Sequence, residues 1–196
     1  MILIVSGMPR SGTSLMMRCL EGGGIPVLKN TERDNKYPED NPNGYYEINN
    51  MHRVGAEPRL LHAADGKAVK VLMPWLLQLS IEDHGSMRVI FMRRNFKELV
   101  RSQLIAMEAR NQQPRPLPAA LEQANRKFIE EANNWLFVRR QDIPSCEIWY
   151  NELVSQPQAT LGKVITFLDN VGFEHNAKLF KMVRLVDPKL YRQREP

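Results

Sequence analysis

The sequence has few of the residues that build metal centres or disulfide frameworks. Its 196 residues include two cysteines, Cys19 and Cys146, and four scattered histidines, without the close spacing that metal ligands require. We therefore predict no metal site and two free thiols, as in a reducing, cytoplasmic compartment.

Long apolar runs are also lacking. No stretch reaches the roughly 18 residues that a membrane span needs, so we predict no membrane span. The apolar residues 1–5 have no basic segment before them and no cleavage pattern after them, which indicates a first buried strand rather than a signal peptide. The length and the composition, 43% hydrophobic and 25% charged, are typical of one soluble globular domain over residues 1–196.

The sequence carries no recognisable nucleic-acid-binding motif, although its net charge is +5. The basic excess lies in residues 88–101 and 178–194, and such patches can bind polyanions. Because no cluster of stacking aromatic residues accompanies them, we predict no nucleic-acid partner.

Short apolar runs typical of buried strands alternate with segments of helical spacing. The predicted strands are residues 2–5, 68–72, 88–92 and 146–150. The predicted helices cover about residues 13–21, 96–107, 119–139 and a stretch from Pro157, with a polar loop at residues 30–46. This alternation predicts an α/β fold with a central, mainly parallel sheet and helices on both faces.

A glycine-rich segment joins the first strand to the first helix. Residues 7–14 read Gly-Met-Pro-Arg-Ser-Gly-Thr-Ser and match the P-loop pattern Gly-x4-Gly-Lys-[Ser/Thr], except that Thr13 replaces the lysine. The glycines allow a tight turn with inward-facing amides, and the helix N-terminus adds partial positive charge, so the segment suits a tetrahedral anion. The alternative is a turn that only packs the strand on the helix. The pattern predicts a P-loop NTPase-like three-layer sandwich.

Two features argue against a triphosphate held with magnesium. The P-loop lysine that normally meets the β- and γ-phosphates is missing. The strand at residues 88–92 is followed by Arg93 and Arg94, where a magnesium-holding aspartate is expected. The site is therefore predicted to hold an anion without metal.

Residues 9–15, Pro-Arg-Ser-Gly-Thr-Ser-Leu, closely resemble the 5′-phosphosulfate loop of sulfotransferases that use 3′-phosphoadenosine-5′-phosphosulfate (PAPS). The resemblance implies that the amides and hydroxyls of this loop bind the 5′-phosphosulfate. The residues concerned are Arg10, Ser11, Gly12, Thr13 and Ser14. Arg10 would also hold the bridging oxygen or the transferring sulfuryl group.

A second stretch resembles the 3′-phosphate motif of the same family, an arginine at a strand end followed eight residues later by a serine. Here these residues are Arg94 and Ser102. The planar guanidinium of arginine suits phosphate, and the serine adds a hydroxyl donor. The alternative is a solvated basic helix face.

A third stretch, residues 149–157, resembles the Tyr-Glu-Asp-Leu-x3-Pro segment of the family, with Asn151 in place of the usual acid. We interpret it as structural. The Arg-Lys-Gly segment of the hormone- and phenol-sulfating enzymes is absent. Donors from the basic tail, Lys189, Arg192 or Arg194, are candidates to complete the 3′-phosphate or adenine site.

The general base of the small-molecule enzymes is also missing. In those enzymes a histidine in Lys-Thr-His-x-Pro takes the proton, whereas residues 70–74 here read Lys-Val-Leu-Met-Pro, with Leu72 in its place. Other sulfotransferases use a glutamate after the first helix, and Glu47 is the candidate. Its alternatives are a cap for a helix starting near Asn49 or a solvent-facing side chain.

Three further residues complete the candidate chemistry. Lys70 is a candidate to stabilise the leaving oxygen, with a surface lysine as the alternative. His52 and His62 are reserve bases.

The resemblance implies a PAPS-dependent sulfotransferase that acts on a hydroxyl or amine and leaves adenosine 3′,5′-bisphosphate (PAP). The acceptor would be a small molecule or a glycan, with lid helices on the acceptor side at about residues 105–140. The alternatives are a P-loop small-molecule kinase and a non-catalytic nucleotide-binding protein.

Overall fold

The computed structural model describes residues 1–30, 41, 43–79, 86–110 and 116–191. Its centre is a five-stranded sheet of order β2-β3-β1-β4-β5. The strands are β1 (Ile2–Gly7), β2 (Val27–Leu28), β3 (Ala68–Lys70), β4 (Met87–Arg93) and β5 (Ser145–Trp149). All strand pairs are parallel, which confirms the predicted sheet.

Helices connect the strands. The α-helices are α1 (Thr13–Gly23), α2 (Met73–Leu76), α3 (Phe96–Ala109), α4 (Pro118–Asn134), α5 (Tyr150–Ser155), α6 (Pro157–Asn170) and α7 (Leu179–Val183). A π-helical turn (Trp135–Arg139) extends α4, and 3₁₀ turns cover Met51–Arg53, Pro58–Ala64 and Pro188–Leu190. None of the helices among the described residues is long and apolar enough to cross a membrane.

Strand β1 lies at the centre of the sheet because it is apolar on both faces. All six of its residues are buried. It pairs with β3 through Leu3 and Ala68 and with β4 through Ile2 and Met87. A continuous apolar run is what a parallel strand covered on both sides requires.

Two apolar clusters, one on each face of the sheet, form the core. The first joins β1 to α1 and α6 through residues such as Leu3, Met16, Leu20, Leu161 and Val164. The second joins the opposite side chains of the sheet to α2 and the end of α4 through residues such as Ile4, Val89, Leu76, Ala132 and Leu136. The sheet with helices packed on each face forms three layers, as the sequence predicts.

Helix α1 begins and ends at glycines in the left-handed region. Gly12 precedes it with φ 98°, and Gly24 follows it with φ 104°. The predicted stop at this glycine run is therefore confirmed, because a glycine adopts the left-handed conformation that commonly ends a helix.

Some element boundaries differ from the predicted ones. Strand β3 ends at Lys70, and Pro74 lies in the first turn of α2 rather than only stopping the strand, a position at which proline is well tolerated. No α-helix starts near Asn49; a 3₁₀ turn begins at Met51 instead, after Asn50 in the left-handed region. The short edge strand β2 was not predicted, since two residues carry no periodic signal.

Parallel pairing brings the candidate residues to one edge of the sheet. The glycine-rich loop follows β1, Lys70 ends β3 and Arg94 follows β4. The carboxyl ends of parallel strands lie side by side, so these three segments meet at a common crevice.

Candidate functional site

A cavity of about 410 Å³ opens at the carboxyl ends of β1, β3 and β4. It brings together all but one of the predicted site residues: Arg10, Gly12, Thr13, Ser14, Glu47, Lys70, Arg94 and Ser102. The exception, Ser11, is buried within the loop. Neither reserve base lines the cavity, and both His52 and His62 are exposed.

The loop between β1 and α1 has the geometry of an anion-binding turn. Gly7 and Gly12 have φ values of 149° and 98°, and Arg10 is left-handed at 73°. A Cβ at Gly12 would lie 2.5 Å from a ring carbon of Tyr150, so the tight turn requires glycine there. The buried Ser11 hydroxyl has no hydrogen-bond partner among the described residues. Together with the N-terminus of α1, it leaves donor capacity that fits a phosphate or sulfate group.

Two carbonyl groups of the loop accept hydrogen bonds from side chains that lie on α3 or just before it. Arg94 Nη1 donates to the carbonyl of Arg10 at 3.0 Å, and Gln103 Nε2 donates to the carbonyl of Pro9 at 3.0 Å. Arg10 Nε in turn donates to Ser102 Oγ at 3.3 Å. The two segments that resemble separate anion motifs are thus joined by hydrogen bonds.

Arg94 is held in a fixed orientation. Its side chain is 6% exposed, and its Nε lies 3.4 Å from Glu98 Oε2, whose side chain is also buried. The guanidinium stacks 4.6 Å from the ring centre of Tyr150 and 5.8 Å from that of Tyr191. Such cation–π contacts fix the orientation of the guanidinium.

Glu98 is the centre of a polar cluster that sequence reasoning missed. Tyr191 donates its hydroxyl to Glu98 Oε1 at 2.6 Å, and Asn151 Nδ2 donates to Glu98 Oε2 at 3.2 Å. Burial, followed by the hydrogen bond to Glu98, raises the pKa of Tyr191 to about 12.

The same cluster explains the departure from the family pattern at Asn151. Its amide donates to Glu98, while its Oδ1 accepts from the backbone N–H of Asn95 at 3.1 Å. An acid at this position could accept the second bond but would place a carboxylate against Glu98. Asparagine satisfies both neighbours.

Glu47 and Lys70 form a buried ion pair in the cavity. Lys70 Nζ lies 3.0 Å from Glu47 Oε1, and the side chains are 4% and 8% exposed for Lys70 and Glu47 respectively. Lys70 also donates to the Tyr45 carbonyl at 2.9 Å and to Ser14 Oγ at 3.1 Å. The burial excludes the solvent-facing alternatives for both residues, and the pair links the segment of Tyr45 and Glu47 to Ser14 at the N-terminus of α1.

Two tyrosines fix the segment that carries Glu47. Tyr46 has φ 58°, in the left-handed region, and donates its hydroxyl to Glu21 Oε2 on α1 at 2.9 Å. Tyr45 points the other way, and its hydroxyl accepts from Arg110 Nη2 at 2.9 Å. The segment is therefore held between α1 and the end of α3, with Glu47 turned into the cavity.

Apolar side chains also line the cavity. Leu72, Trp75 and Ile105 are among them. Leu72, which occupies the place of the family histidine, is 8% exposed. The position that carries the base in the small-molecule enzymes thus faces the same cavity without a titratable group.

The structure describes one of the three donors that the sequence offers from the basic tail. Lys189 is exposed and does not line the cavity, and Arg192 and Arg194 lie outside the described residues. Asp187 lines the cavity instead. Of the predicted lid, residues 105–140, the structure describes all but 111–115; within the described part Ile105 and Arg110 line the cavity, and α4 packs against α3.

Metal-ligating side chains do not gather in the described ranges. No group of three or more His, Cys, Asp or Glu residues there is placed to hold a metal ion.

Solved structures that resemble the chain include the following two. A sulfotransferase domain from the curacin biosynthetic pathway matches with a TM-score of 0.53 and 16% sequence identity, over 86% of this chain and 73% of that one. Retinol dehydratase, crystallised with androsterone and the inactive cofactor PAP, matches with a TM-score of 0.46 and 13% identity, over 97% of this chain and 64% of that one. No family model and no curated protein matches the chain.

The two structural similarities do not support the same conclusions about the fold. At a TM-score of 0.46 the likeness to retinol dehydratase carries no argument. The likeness to the curacin domain covers most of the chain, and at 16% identity it shows the fold alone. The chain therefore has the three-layer α/β fold of a sulfotransferase domain, with a central parallel sheet of five strands.

Proposed function

We propose that the chain is a cytoplasmic, single-domain sulfotransferase that transfers a sulfuryl group from PAPS to a hydroxyl or amine and releases PAP. The observation that carries the proposal is one cavity that contains two anion-binding segments and a buried Glu47–Lys70 pair. The two unpaired cysteines fit a reducing compartment.

The two anion-binding segments fit the two ends of the donor. The amides of residues 12–14 at the N-terminus of α1, with the unpartnered Ser11 hydroxyl, would hold the 5′-phosphosulfate, while the Ser11 amide donates to the Met8 carbonyl at 3.0 Å within the loop. Arg94 and Ser102 would hold the 3′-phosphate, since the guanidinium is already oriented by Glu98 and Tyr150. PAPS supplies an activated sulfuryl group with a phosphate oxygen as its leaving atom.

Glu47 is the proposed general base. It would accept the proton of the acceptor hydroxyl or amine, and the buried segment around Tyr45 and Tyr46 would keep it oriented. Lys70 lies between Glu47 and Ser14 Oγ, where its charge would offset the negative charge that develops on the leaving oxygen. Arg10 is the second cation proposed for this task.

The buried carboxylate of Glu47 favours an enzyme over a non-catalytic nucleotide-binding protein. A negative charge inside an anion pocket weakens anion binding, so Glu47 would not raise the affinity of a protein that only held nucleotides, although its pair with Lys70 stabilises the fold. The kinase alternative is disfavoured because Thr13 occupies the place of the P-loop lysine. The proposed acceptor is a small molecule or glycan that reaches the apolar wall at Leu72 and Trp75.

Calorimetry with PAP and with adenosine 5′-monophosphate (AMP), each with and without EDTA, tests the proposal. We expect PAP to bind more tightly, by at least about 10-fold, because a charge-assisted hydrogen bond contributes ~1.5–3 kcal/mol. EDTA should change neither affinity. Equal affinities, or binding that needs magnesium, would contradict the sulfotransferase proposal and favour a kinase. A screen of hydroxyl and amine compounds with PAPS, detecting PAP release, then tests turnover.

A further inference from the structure

Two buried amide side chains connect the glycine-rich loop of residues 7–14, called the phosphate loop below, to a helix that does not line the cavity. Gln103 on α3 and Asn125 on α4 are 5% and 2% exposed. Gln103 donates to the carbonyl of Pro9 at 3.0 Å and accepts from Asn125 Nδ2 at 2.7 Å. Neither residue is among those that line the cavity, so neither is placed to touch a ligand there.

The contact to Pro9 bears on how the loop presents its amides. The Pro9 carbonyl and the Arg10 N–H belong to one planar peptide group and point in opposite directions, so the donor that holds the carbonyl sets where this N–H points. Gln103 supplies that donor. Arg94 holds the next carbonyl, that of Arg10, while the Ser11 N–H donates to the Met8 carbonyl at 3.0 Å and closes the turn from within. Arg10 is a non-glycine residue in the left-handed region, a conformation that persists only where its surroundings fix it.

We propose that Gln103 and Asn125 are positioning residues for the 5′-anion loop, with Asn125 acting through Gln103. The proposal rests on the proposed function, in which this loop holds the 5′-phosphosulfate. Only an amide suits position 103, because its NH₂ donates to the loop while its oxygen accepts from Asn125. Asn125 therefore fixes which way the Gln103 amide faces, and α4 affects the donor site without touching it.

A purely structural role makes a different prediction. If the pair only joined α3 to α4, its loss would lower stability and leave the relative affinities for different ligands unchanged. If it positions the loop, the loss of affinity is confined to ligands that carry a 5′-phosphate. Ligand selectivity, measured beside stability, separates the two roles.

The experiment compares Gln103→Met with the wild type in binding AMP, PAP and adenosine 3′-monophosphate, by calorimetry and competition. We expect AMP and PAP to bind about 5- to 10-fold more weakly, as for the loss of one buried hydrogen bond. Binding of adenosine 3′-monophosphate should stay within about 2-fold. Thr160→Val, a buried polar residue on α6, is the control for a general loss of stability and should change none of the affinities.

Asn125→Asp tests the indirect action and keeps the proposal falsifiable if Gln103→Met does not fold. The aspartate cannot donate, so the Gln103 amide should turn over and present its oxygen to the Pro9 carbonyl. We expect the same selective weakening of AMP and PAP, and no further loss when Asn125→Asp is combined with Gln103→Met. Equal weakening of all three ligands, or lowered stability with unchanged affinities, would overturn the proposal.

Different results would refute the sulfotransferase proposal and the positioning role of Gln103 and Asn125. If the wild type does not prefer PAP to AMP, the sulfotransferase proposal fails. Pyrophosphate then serves as the probe of the loop, and its weaker binding to Gln103→Met would still support the positioning role. Unchanged pyrophosphate binding would refute it.

Discussion

The buried pair of Glu47 and Lys70 gives the sharpest quantitative test. Removing one partner of a buried ion pair typically costs about 3–5 kcal/mol, because the other charge is left uncompensated. Glu47→Gln should lie near the lower end, about 3 kcal/mol, since the amide oxygen can still accept from Lys70 and since Lys70 keeps Tyr45 and Ser14 as acceptors. At ~2–4 °C per kcal/mol for a domain of this size, the melting temperature should fall by about 6–12 °C.

The double variant separates the pair interaction from the single effects. Lys70→Met leaves the Glu47 carboxylate buried, and we expect a loss of about 3–5 kcal/mol. The combined variant removes both charges, so it should cost about 2–3 kcal/mol less than the sum of the two single variants. Urea unfolding measures these differences in the free energy of unfolding, provided that the slope of this free energy against urea concentration is the same for all variants. Additivity within about 0.5 kcal/mol would refute the assignment of the two residues to one interacting unit.

Function and stability should respond differently to Glu47→Gln. Turnover should fall by about 10²–10⁴-fold, the usual contribution of a positioned base. PAP should bind at least as tightly as to the wild type, because a negative charge leaves the pocket. Glu152→Gln is the matched control, since Glu152 is an exposed glutamate that lies 3.7 Å from Lys163 and does not line the cavity, and such pairs contribute at most ~1 kcal/mol. Near-normal turnover of Glu47→Gln would remove Glu47 from the mechanism.

Two further predictions concern the helix that follows the phosphate loop. Gly12→Ala should abolish measurable binding of AMP and PAP, because the new Cβ would lie 2.5 Å from the Tyr150 ring and because residue 12 has a φ of 98°. Calorimetry measures the binding, and retained affinity would show that the turn can shift. Burial raises the pKa of the Cys19 thiol to about 12, so Cys19 stays protonated at every pH below that value. A thiol reagent at pH 8 should therefore modify the half-buried Cys146 first and Cys19 only on unfolding, whereas rapid reaction of both would contradict the packing of α1.

Features carried by local sequence were the ones that could be predicted. The phosphate loop was visible because β1, two glycines and the start of α1 are consecutive in the chain. Arg94 and Ser102 were visible because a strand end and the following helix fix their separation. Local pattern, with the resemblance that it carries, thus predicted the sheet, the loop and eight of the residues that line the cavity.

Features that depend on distant side chains could not be predicted. Gln103 contacts Pro9, 94 positions away, and Tyr191 contacts Glu98, 93 positions away. No motif or periodicity marks either pair, because the two contacts form only when α3 and the 3₁₀ turn before Tyr191 pack beside β1 and β4. Asn151 was recognised as a departure from the family pattern, but its reason is the position of Glu98 in three dimensions.

The central position of β1 has a consequence for the order of folding. Its neighbours in the sheet, β3 and β4, lie about 65 and 85 residues further along the chain, so both pairings close long loops at a high entropic cost. The phosphate loop acquires its anchors only after β4 and α3 are in place, and the anion site is therefore expected to form late. A ligand that binds this site should slow unfolding strongly and leave the rate of folding nearly unchanged.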